Sequence, residues 1–149
     1  MAHYRTSIRT PWSPQQAFDE MRDLSKFSEW DPGIKRAVLV DGRTGERGST
    51  YDLTVAGIGR DTVMRYEIVA VDAPARVEAR STTSTLESID VITVTADGSG
   101  GGAIVTYDAE LHLRGLLKLA DPLLGLVFGR IGDRAAEGLR THLDGEFAR

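Results

Sequence analysis

Residues 103–132 read AIVTYDAELHLRGLLKLADPLLGLVFGRIG, and the hydrophobic pattern of the chain changes within this stretch. From Val105 to Leu113 apolar and polar residues alternate, which is typical of a β-strand with one buried face. After Gly115 the apolar residues follow at helical spacing and cover more than one stripe of the helix. The stretch therefore predicts that a β-sheet ends at Leu113 and that a long helix runs from Gly115 to the end of the chain.

Six earlier segments carry strand-like patterns between turn signals such as Asp41-Gly42 and Asp72-Ala73-Pro74. No helix-like segment separates the strands after residue 34, so neighbouring strands are expected to pair antiparallel in a meander. The seven predicted strands are residues 4–9, 34–40, 51–56, 62–71, 76–83, 89–95 and 103–113.

Two short helices are predicted between the first two strands. Ser13 precedes Pro14, and Gln16 occupies the capping-box position, so a helix should begin here with Ser13 as its N-cap. A second helical turn, residues 24–30, should end before Asp31-Pro32-Gly33. Proline disfavours helix in the residue before it, and glycine permits a sharp reversal of the chain. The fold class is therefore α+β.

A hollow is expected where the curved sheet closes over the long helix, because the side chains of neither element fill the bend. Strand alternation directs Tyr51, Tyr66 and Tyr107 into this hollow, close to Ser81. Buried tyrosines usually need partners for their hydroxyl groups. We therefore expect an apolar hollow with a few polar points.

The strand over residues 89–95 is apolar on both faces, so the sequence leaves its register open. In one register Asp90 faces the hollow, where burial would raise its pKa and let it act as an acid or base. In the other register Asp90 is a solvated or salt-bridged surface residue. His3, His112 and His142 are expected at the surface, without a nucleophile near them.

Composition limits the remaining possibilities. The chain has 149 residues, of which 41% are hydrophobic, so one domain over residues 1–149 is expected. A net charge of -4 with scattered basic residues argues against a nucleic-acid partner. The chain lacks cysteine, and its sequence contains no paired-histidine metal spacing and no phosphate-binding loop, so neither a metal nor a cofactor is expected. No signal-peptide pattern opens the chain, which favours the cytoplasm.

Four short motifs and the Leu/Phe-rich terminal helix together resemble the SRPBCC superfamily, which includes START-type lipid-transfer domains, polyketide cyclases and birch-pollen-allergen-like proteins. The motifs are TPWSPQQAF at residues 10–18, FSEWDPGI at 27–34, DAPARV at 72–77 and GGAIVTY at 101–107. The resemblance implies a helix-grip fold. In that fold a strongly bent antiparallel sheet of seven strands wraps around a long C-terminal helix, and two short helices follow the first strand.

Three functions compete at this point. The first is a carrier that binds a lipid, isoprenoid, quinone or polyketide-like molecule in the hollow, which requires no catalytic group. The second, which the resemblance permits, is a polyketide cyclase or aromatase that uses Tyr66 and Asp90 as proton-transfer groups. The third is a contact with a membrane or another protein through the apolar run from Leu116 to Phe128. The oligomeric state stays open.

The ligand-binding hypothesis assigns the wall of the hollow to side chains from the second short helix, the strands and the terminal helix. The predicted ligand contacts are Phe27, Trp30, Tyr51, Leu53, Met64, Tyr66, Val77, Ala79, Ser81, Tyr107, Leu111, Leu117, Leu124 and Phe128.

Overall fold

The computed structural model describes residues 1–57, 59–98, 100–115 and 121–148, with the backbone alone for residues 121–124. Within these ranges the chain forms one antiparallel sheet and a small set of helices. None of the helices in the described part of the chain is long and apolar enough to cross a membrane.

The described strands form an eight-stranded sheet in the order β2-β3-β4-β5-β6-β7-β1-β8. Seven of them confirm the predicted strands to within a few residues at each end. The eighth, β8, has only two residues and was not predicted; it pairs with Ile8 and Arg9 of β1. The strands are β1 (Ala2–Thr10), β2 (Ile34–Asp41), β3 (Thr50–Val55), β4 (Thr62–Asp72), β5 (Arg76–Thr82), β6 (Leu86–Ala96), β7 (Ala103–Leu113) and β8 (Glu146–Phe147).

The ladder of the sheet is interrupted at three places, twice between β2 and β3 and once between β4 and β5. The last of these lies between Ile68 and Ala70. Irregularities of this kind bend a strand and increase its local twist. They occur among β2, β3, β4 and β5, which are separated from β1 by β6 and β7 in the strand order.

The predicted short helices are present. Helix α1 spans Pro14–Met21, and the Ser13 hydroxyl accepts a hydrogen bond from the Gln16 N–H, which confirms the N-cap. A 3-10 turn, Leu24–Lys26, leads into the one-turn helix α2, Phe27–Trp30. Buried side chains from α1 to α2, Phe18 and Phe27 among them, join the core under the sheet.

The terminal helix α3 spans Asp121–His142. The predicted helix start after Gly115 falls on residues 116–120, which lie outside the described residues. The prediction that the helix reaches the end of the chain is wrong. Asp144 adopts a left-handed backbone with a φ of 54°, and the Gly145 N–H bonds the Arg140 carbonyl. This pattern ends a helix and turns the chain back onto β1 as β8, so Phe147 lies on a strand and not on the apolar stripe of α3.

Helix α3 packs on β1 and on α2. The Tyr4 hydroxyl of β1 donates a 2.8 Å hydrogen bond to Asp133 Oδ1 of α3. Gly138 of α3 lies against the Trp30 carbonyl group of α2, where an added methyl group would overlap the carbonyl oxygen. These contacts fix the position of α3 opposite the concave face of the sheet.

Candidate functional site

A cavity of about 190 Å³ lies between the concave face of the sheet and helices α2 and α3. Most of its wall is apolar. Trp30 of α2, Met64 of β4 and Leu111 of β7 contribute to one side, and Phe128 and Ile131 of α3 contribute to the other. The cavity lies between the sheet and the long helix, where the sequence predicts a hollow. Its apolar wall with a few polar groups is the usual composition of a small-molecule site.

Three aromatic rings pack together at the α2 end of the cavity. The Trp30 ring lies edge-on to Tyr107 with a centroid distance of 5.5 Å, and Phe27 packs behind Trp30 at 4.8 Å. Tilted and edge-to-face arrangements of this kind are favourable for aromatic pairs. Trp30 and Tyr107 line the cavity, whereas Phe27 supports them from the core.

Four polar side chains on β4, β6 and β7 form a hydrogen-bonded group on the cavity wall. The Tyr66 hydroxyl donates to Ser88 Oγ at 2.8 Å, and the Ser88 hydroxyl donates to Asp90 Oδ1 at 3.3 Å. From the other side, the Tyr107 hydroxyl donates to Asp90 Oδ2 at 2.7 Å. Asp90 therefore receives one donor on each carboxylate oxygen, and Tyr66 is linked to it through Ser88.

Strand register explains why this group can assemble. Asp90 stands between Ala79 of β5 and Ala109 of β7, and both neighbours carry only a methyl side chain on the concave face. Tyr66 and Ser88 both pair with Ser81, another small residue, so the tyrosine can reach across it to the Ser88 hydroxyl. Small residues beside the polar ones leave the space that the hydrogen bonds need.

Burial controls the ionisation of this group. It raises the pKa of Asp90 to about 6, although the hydrogen bonds from Tyr107 and Ser88 favour the ionised form; the charges of Asp31 and Asp108 add to the rise. Burial and the nearby Asp90 charge raise the pKa values of Tyr66 and Tyr107 as well. Both tyrosines therefore remain protonated near neutral pH and act as hydrogen-bond donors to a partner.

A second carboxyl group, that of Asp31, lines the cavity beside Trp30. Burial raises its pKa, while the Gly33 N–H donates to Asp31 Oδ1 at 2.8 Å and favours the ionised form. Its charge acts on Asp90, Tyr66 and Tyr107, so the two carboxyl groups share one electrostatic environment.

A family model described as polyketide cyclase / dehydrase and lipid transport matches residues 1–144. The chain belongs to this family. The match confirms the SRPBCC resemblance, because this polyketide cyclase / dehydrase and lipid transport family is of the SRPBCC type. No curated protein matches the sequence.

Solved structures share the fold of this family member. A START superfamily protein from Mycobacterium smegmatis superposes with a TM-score of 0.77 at 12% identity, covering 97% of this chain and 98% of that one. The ginseng major latex-like protein 151 from Panax ginseng superposes with a TM-score of 0.62 at 15% identity, covering 95% and 97%. At these identities the likeness establishes the helix-grip fold alone.

Six of the predicted ligand contacts lie together around the cavity. Ser88 and Asp31 also line it and were not predicted, because neither an isolated serine nor an Asp-Pro turn signals a cavity wall in a sequence. Ligand contact itself stays a prediction for all of them. The six are Trp30, Met64, Tyr66, Tyr107, Leu111 and Phe128.

The other predicted contacts fall into two groups. Leu117 lies outside the described residues, and for Leu124 the side chain lies outside the described part of the chain. The remainder face inward but pack in the core away from the cavity wall; Tyr51, for example, accepts a hydrogen bond from the Gly45 N–H in the β2–β3 loop. These core residues are Phe27, Tyr51, Leu53, Val77, Ala79 and Ser81.

The histidines of the family member lie away from the cavity. His3 lies within β1, and its Nε2 is 2.8 Å from Asp108 Oδ1. With Glu110 these two residues form a group on the outer face of the sheet whose side chains could hold a metal ion. His142 is half-buried between α3 and α1 and bonds Glu20 at 3.0 Å. None of the three histidines lines the cavity.

Proposed function

We propose that the chain binds a hydrophobic small molecule in the cavity between the sheet and α3, and carries or sequesters it. The observation that supports this proposal best is the apolar wall around about 190 Å³ of space. A core without a ligand role is close-packed, with few voids larger than a water molecule. The family description, which includes lipid transport, points the same way.

The size of the cavity limits what enters without rearrangement. An apolar cavity of about 150 Å³ holds one benzene molecule. Ligands with one or two aromatic rings, or a short isoprenoid or polyketide segment, therefore suit this cavity. Burying about 200 Å² of such a ligand at about 25 cal/mol per Å² contributes about 5 kcal/mol, and the loss of translational and rotational freedom on association offsets part of this gain.

Two substitutions on the wall test the carrier role. Phe128→Ala should enlarge the cavity and let it bind a wider aromatic probe, whereas Ala109→Phe should fill it and weaken binding of methylnaphthalene. Leu126→Ala is the matched control for Phe128→Ala, because Leu126 lies on the same helix with 73% of its surface exposed. If the wild type and these three variants all bind methylnaphthalene equally in a fluorescence titration, the proposal is contradicted.

An enzymatic role is the second candidate, and the observation that favours it is Asp90. A carboxylate with a pKa of about 6 on a cavity wall suits proton transfer near neutral pH. With a poly-β-keto substrate, Asp90 would take the proton from a methylene group between two carbonyls. The resulting enolate would attack a second carbonyl carbon and form an alkoxide. The alkoxide would take a proton from Tyr66 or Tyr107. Asp90 would then give the proton that it took from the methylene group to the tyrosine.

The two roles separate in one comparison. If the chain is a cyclase, Asp90→Asn should abolish turnover of a poly-β-keto thioester, while Asp52→Asn on the outer face should leave it intact. If neither the wild-type chain nor the variants turn over the thioester while methylnaphthalene binds, the carrier role stands alone. A thioester turned over equally well by Asp90→Asn would remove this carboxylate from the chemistry.

A contact through the run from Leu116 to Phe128 stays a prediction. Of this run, residues 116–120 lie outside the described residues, and Leu126 and Val127 are exposed apolar side chains on α3. Binding to vesicles, compared between the wild type and a Leu126→Ser, Val127→Ser double variant, tests the membrane form of the contact.

A further inference from the structure

We infer that the cavity selects a ligand whose polar end is a protonated amine, and that it rejects ligands whose polar end is a carboxylate or another anion. This inference rests on the proposed binding role and names the class of ligand for the same site. Four kinds of observation support the inference: the charges on the cavity wall, the free acceptor positions on Asp90, the aromatic rings beside them and the apolar rest of the wall.

The charges on the wall have one sign. Among the described residues that line the cavity, Asp31 and Asp90 carry carboxyl groups and none is Lys, Arg or His. An anionic head group in this space would meet like charges in surroundings that screen them poorly, and it would find no basic partner there. A cationic head group would meet opposite charges.

Asp90 has acceptor capacity left for a ligand. A carboxylate offers about four lone-pair positions on its two oxygens. Ser88 and Tyr107 occupy one position on each oxygen, so further positions remain open on both. An ammonium group is a donor at every N–H, and hydrogen bonds between charged partners are about twice as strong as those between neutral ones. A neutral hydroxyl could donate to the same positions, but its hydrogen bond would be weaker than that of an ammonium group.

Aromatic rings stand beside the carboxyl groups. Trp30 precedes Asp31 in the chain, and its ring packs against that of Tyr107, whose hydroxyl bonds Asp90. A cation close to the face of Trp or Tyr is attracted by the ring, and most strongly where water is excluded. Carboxyl groups and aromatic rings on the wall of one apolar cavity together match an amine with a hydrophobic body.

Removing an amine from water opposes this preference. An unpaired buried ammonium group is expensive, and pairing repays that cost only when the geometry is good. Here the partner is Asp90, which is already buried at 6% exposure and already carries the desolvation cost of its own charge. A ligand ammonium that pairs with it therefore relieves an existing penalty, and we expect the gain to exceed the cost.

Three ligands of nearly equal shape test the inference: naphthylmethylamine, methylnaphthalene and naphthoate. Isothermal titration near neutral pH should give binding in that order, with each step of about tenfold, as expected for one charge-assisted hydrogen bond. Naphthoate binding as tightly as the amine would overturn the inference. Equal binding of all three would overturn it too, yet leave the proposed binding role standing. Failure of all three to bind would overturn both.

Variants then identify the groups responsible. In Asp90→Asn and Asp31→Asn the ratio of the amine affinity to the methylnaphthalene affinity should fall towards one, because each variant removes a negative charge from the wall. Asp52→Asn is the control, since Asp52 pairs with Arg65 on the outer face and should leave the ratio unchanged. If Asp90→Asn fails to fold, Asp31→Asn carries the test. A ratio that stays at its wild-type value in the folded variants would overturn the assignment.

Discussion

The Tyr107 hydroxyl donates a 2.7 Å hydrogen bond to Asp90 Oδ2 across two neighbouring strands inside the sheet. This bond connects the only acid of β6 on the concave face to the aromatic group at the α2 end of the cavity. It also offsets part of the cost of burying a carboxylate, because a charge-assisted hydrogen bond is stronger than a neutral one. The same two groups are therefore structural partners and candidate ligand contacts.

Replacing Tyr107 with Phe should raise the pKa of Asp90 above its wild-type value of about 6, because the ionised form loses a donor. The free energy of unfolding should fall by about 1–3 kcal/mol near neutral pH, the usual cost of leaving a buried charged group without its partner. Carbon-detected NMR titration of Asp90 and urea unfolding measure the two effects. Tyr66→Phe is the control, since Tyr66 reaches Asp90 only through Ser88; an equal pKa shift in both variants would contradict the account.

Asp90 should make the chain less stable as the pH rises. Its folded pKa is raised from 3.8 to about 6, so the folded state binds more protons than the unfolded state between these values. The stabilising contribution of Asp90 to the free energy of unfolding amounts to roughly 3 kcal/mol. It is present below about pH 4 and is lost as the pH rises through about 6. The difference in unfolding free energy between wild type and Asp90→Asn, followed from about pH 4 to about pH 7, isolates it. A difference independent of pH would show that Asp90 titrates normally.

Glu20 should act in the opposite sense. Burial opposes ionisation here, but hydrogen bonds from Lys26 and His142 outweigh it and lower the pKa of Glu20. The stability that these bonds contribute is present above the unfolded pKa of Glu20 and is lost as the pH falls. Glu20→Gln should therefore cost about 1–2 kcal/mol near neutral pH and less in acid. Glu137→Gln, which removes an exposed pair with Arg140, is the control and should change the urea midpoint little.

Two glycines of α3 should respond in opposite directions to alanine. At Gly138 the new methyl group would overlap the Trp30 carbonyl oxygen, so Gly138→Ala should separate α3 from α2 and cost about 2 kcal/mol or more. At Gly129 nothing lies within 4 Å of the new methyl group, and Gly129→Ala should stabilise the helix by up to about 1 kcal/mol. Thermal unfolding compares the two. Equal effects would mean that α3 does not approach α2 as closely as the structure places it.

The fold was predictable where a pattern was strong. β7 alternates cleanly, and its inward residues are those that the alternation indicated. The register of β6 was not predictable, because Ile89 and Val91 on the outer face are as apolar as Ile92 and Val94 on the inner face. Pairing with both neighbouring strands decides it and turns Asp90 inward. A sequence read one segment at a time contains no information on that pairing.

The candidate site shows the same limit. Inward-facing residues were identified, but the sequence does not separate those that pack in the core from those that line a cavity. Tyr51 and Tyr66 share the concave face and pair directly with each other, yet only Tyr66 borders the cavity. The distinction depends on where α2 and α3 lie, which is set by close contacts such as that of Gly138 with Trp30. Long-range packing of this kind leaves little trace in local patterns.

Titration of the isotope-labelled protein with methylnaphthalene, followed by backbone and methyl NMR, tests the central claim most directly. If the cavity takes up an apolar guest, the largest saturable shifts should fall on residues around it, such as Met64, Ala109 and Leu111. Shifts confined to exposed apolar residues such as Val63 and Leu126, or an absence of saturable shifts at the solubility limit of the probe, would contradict the account.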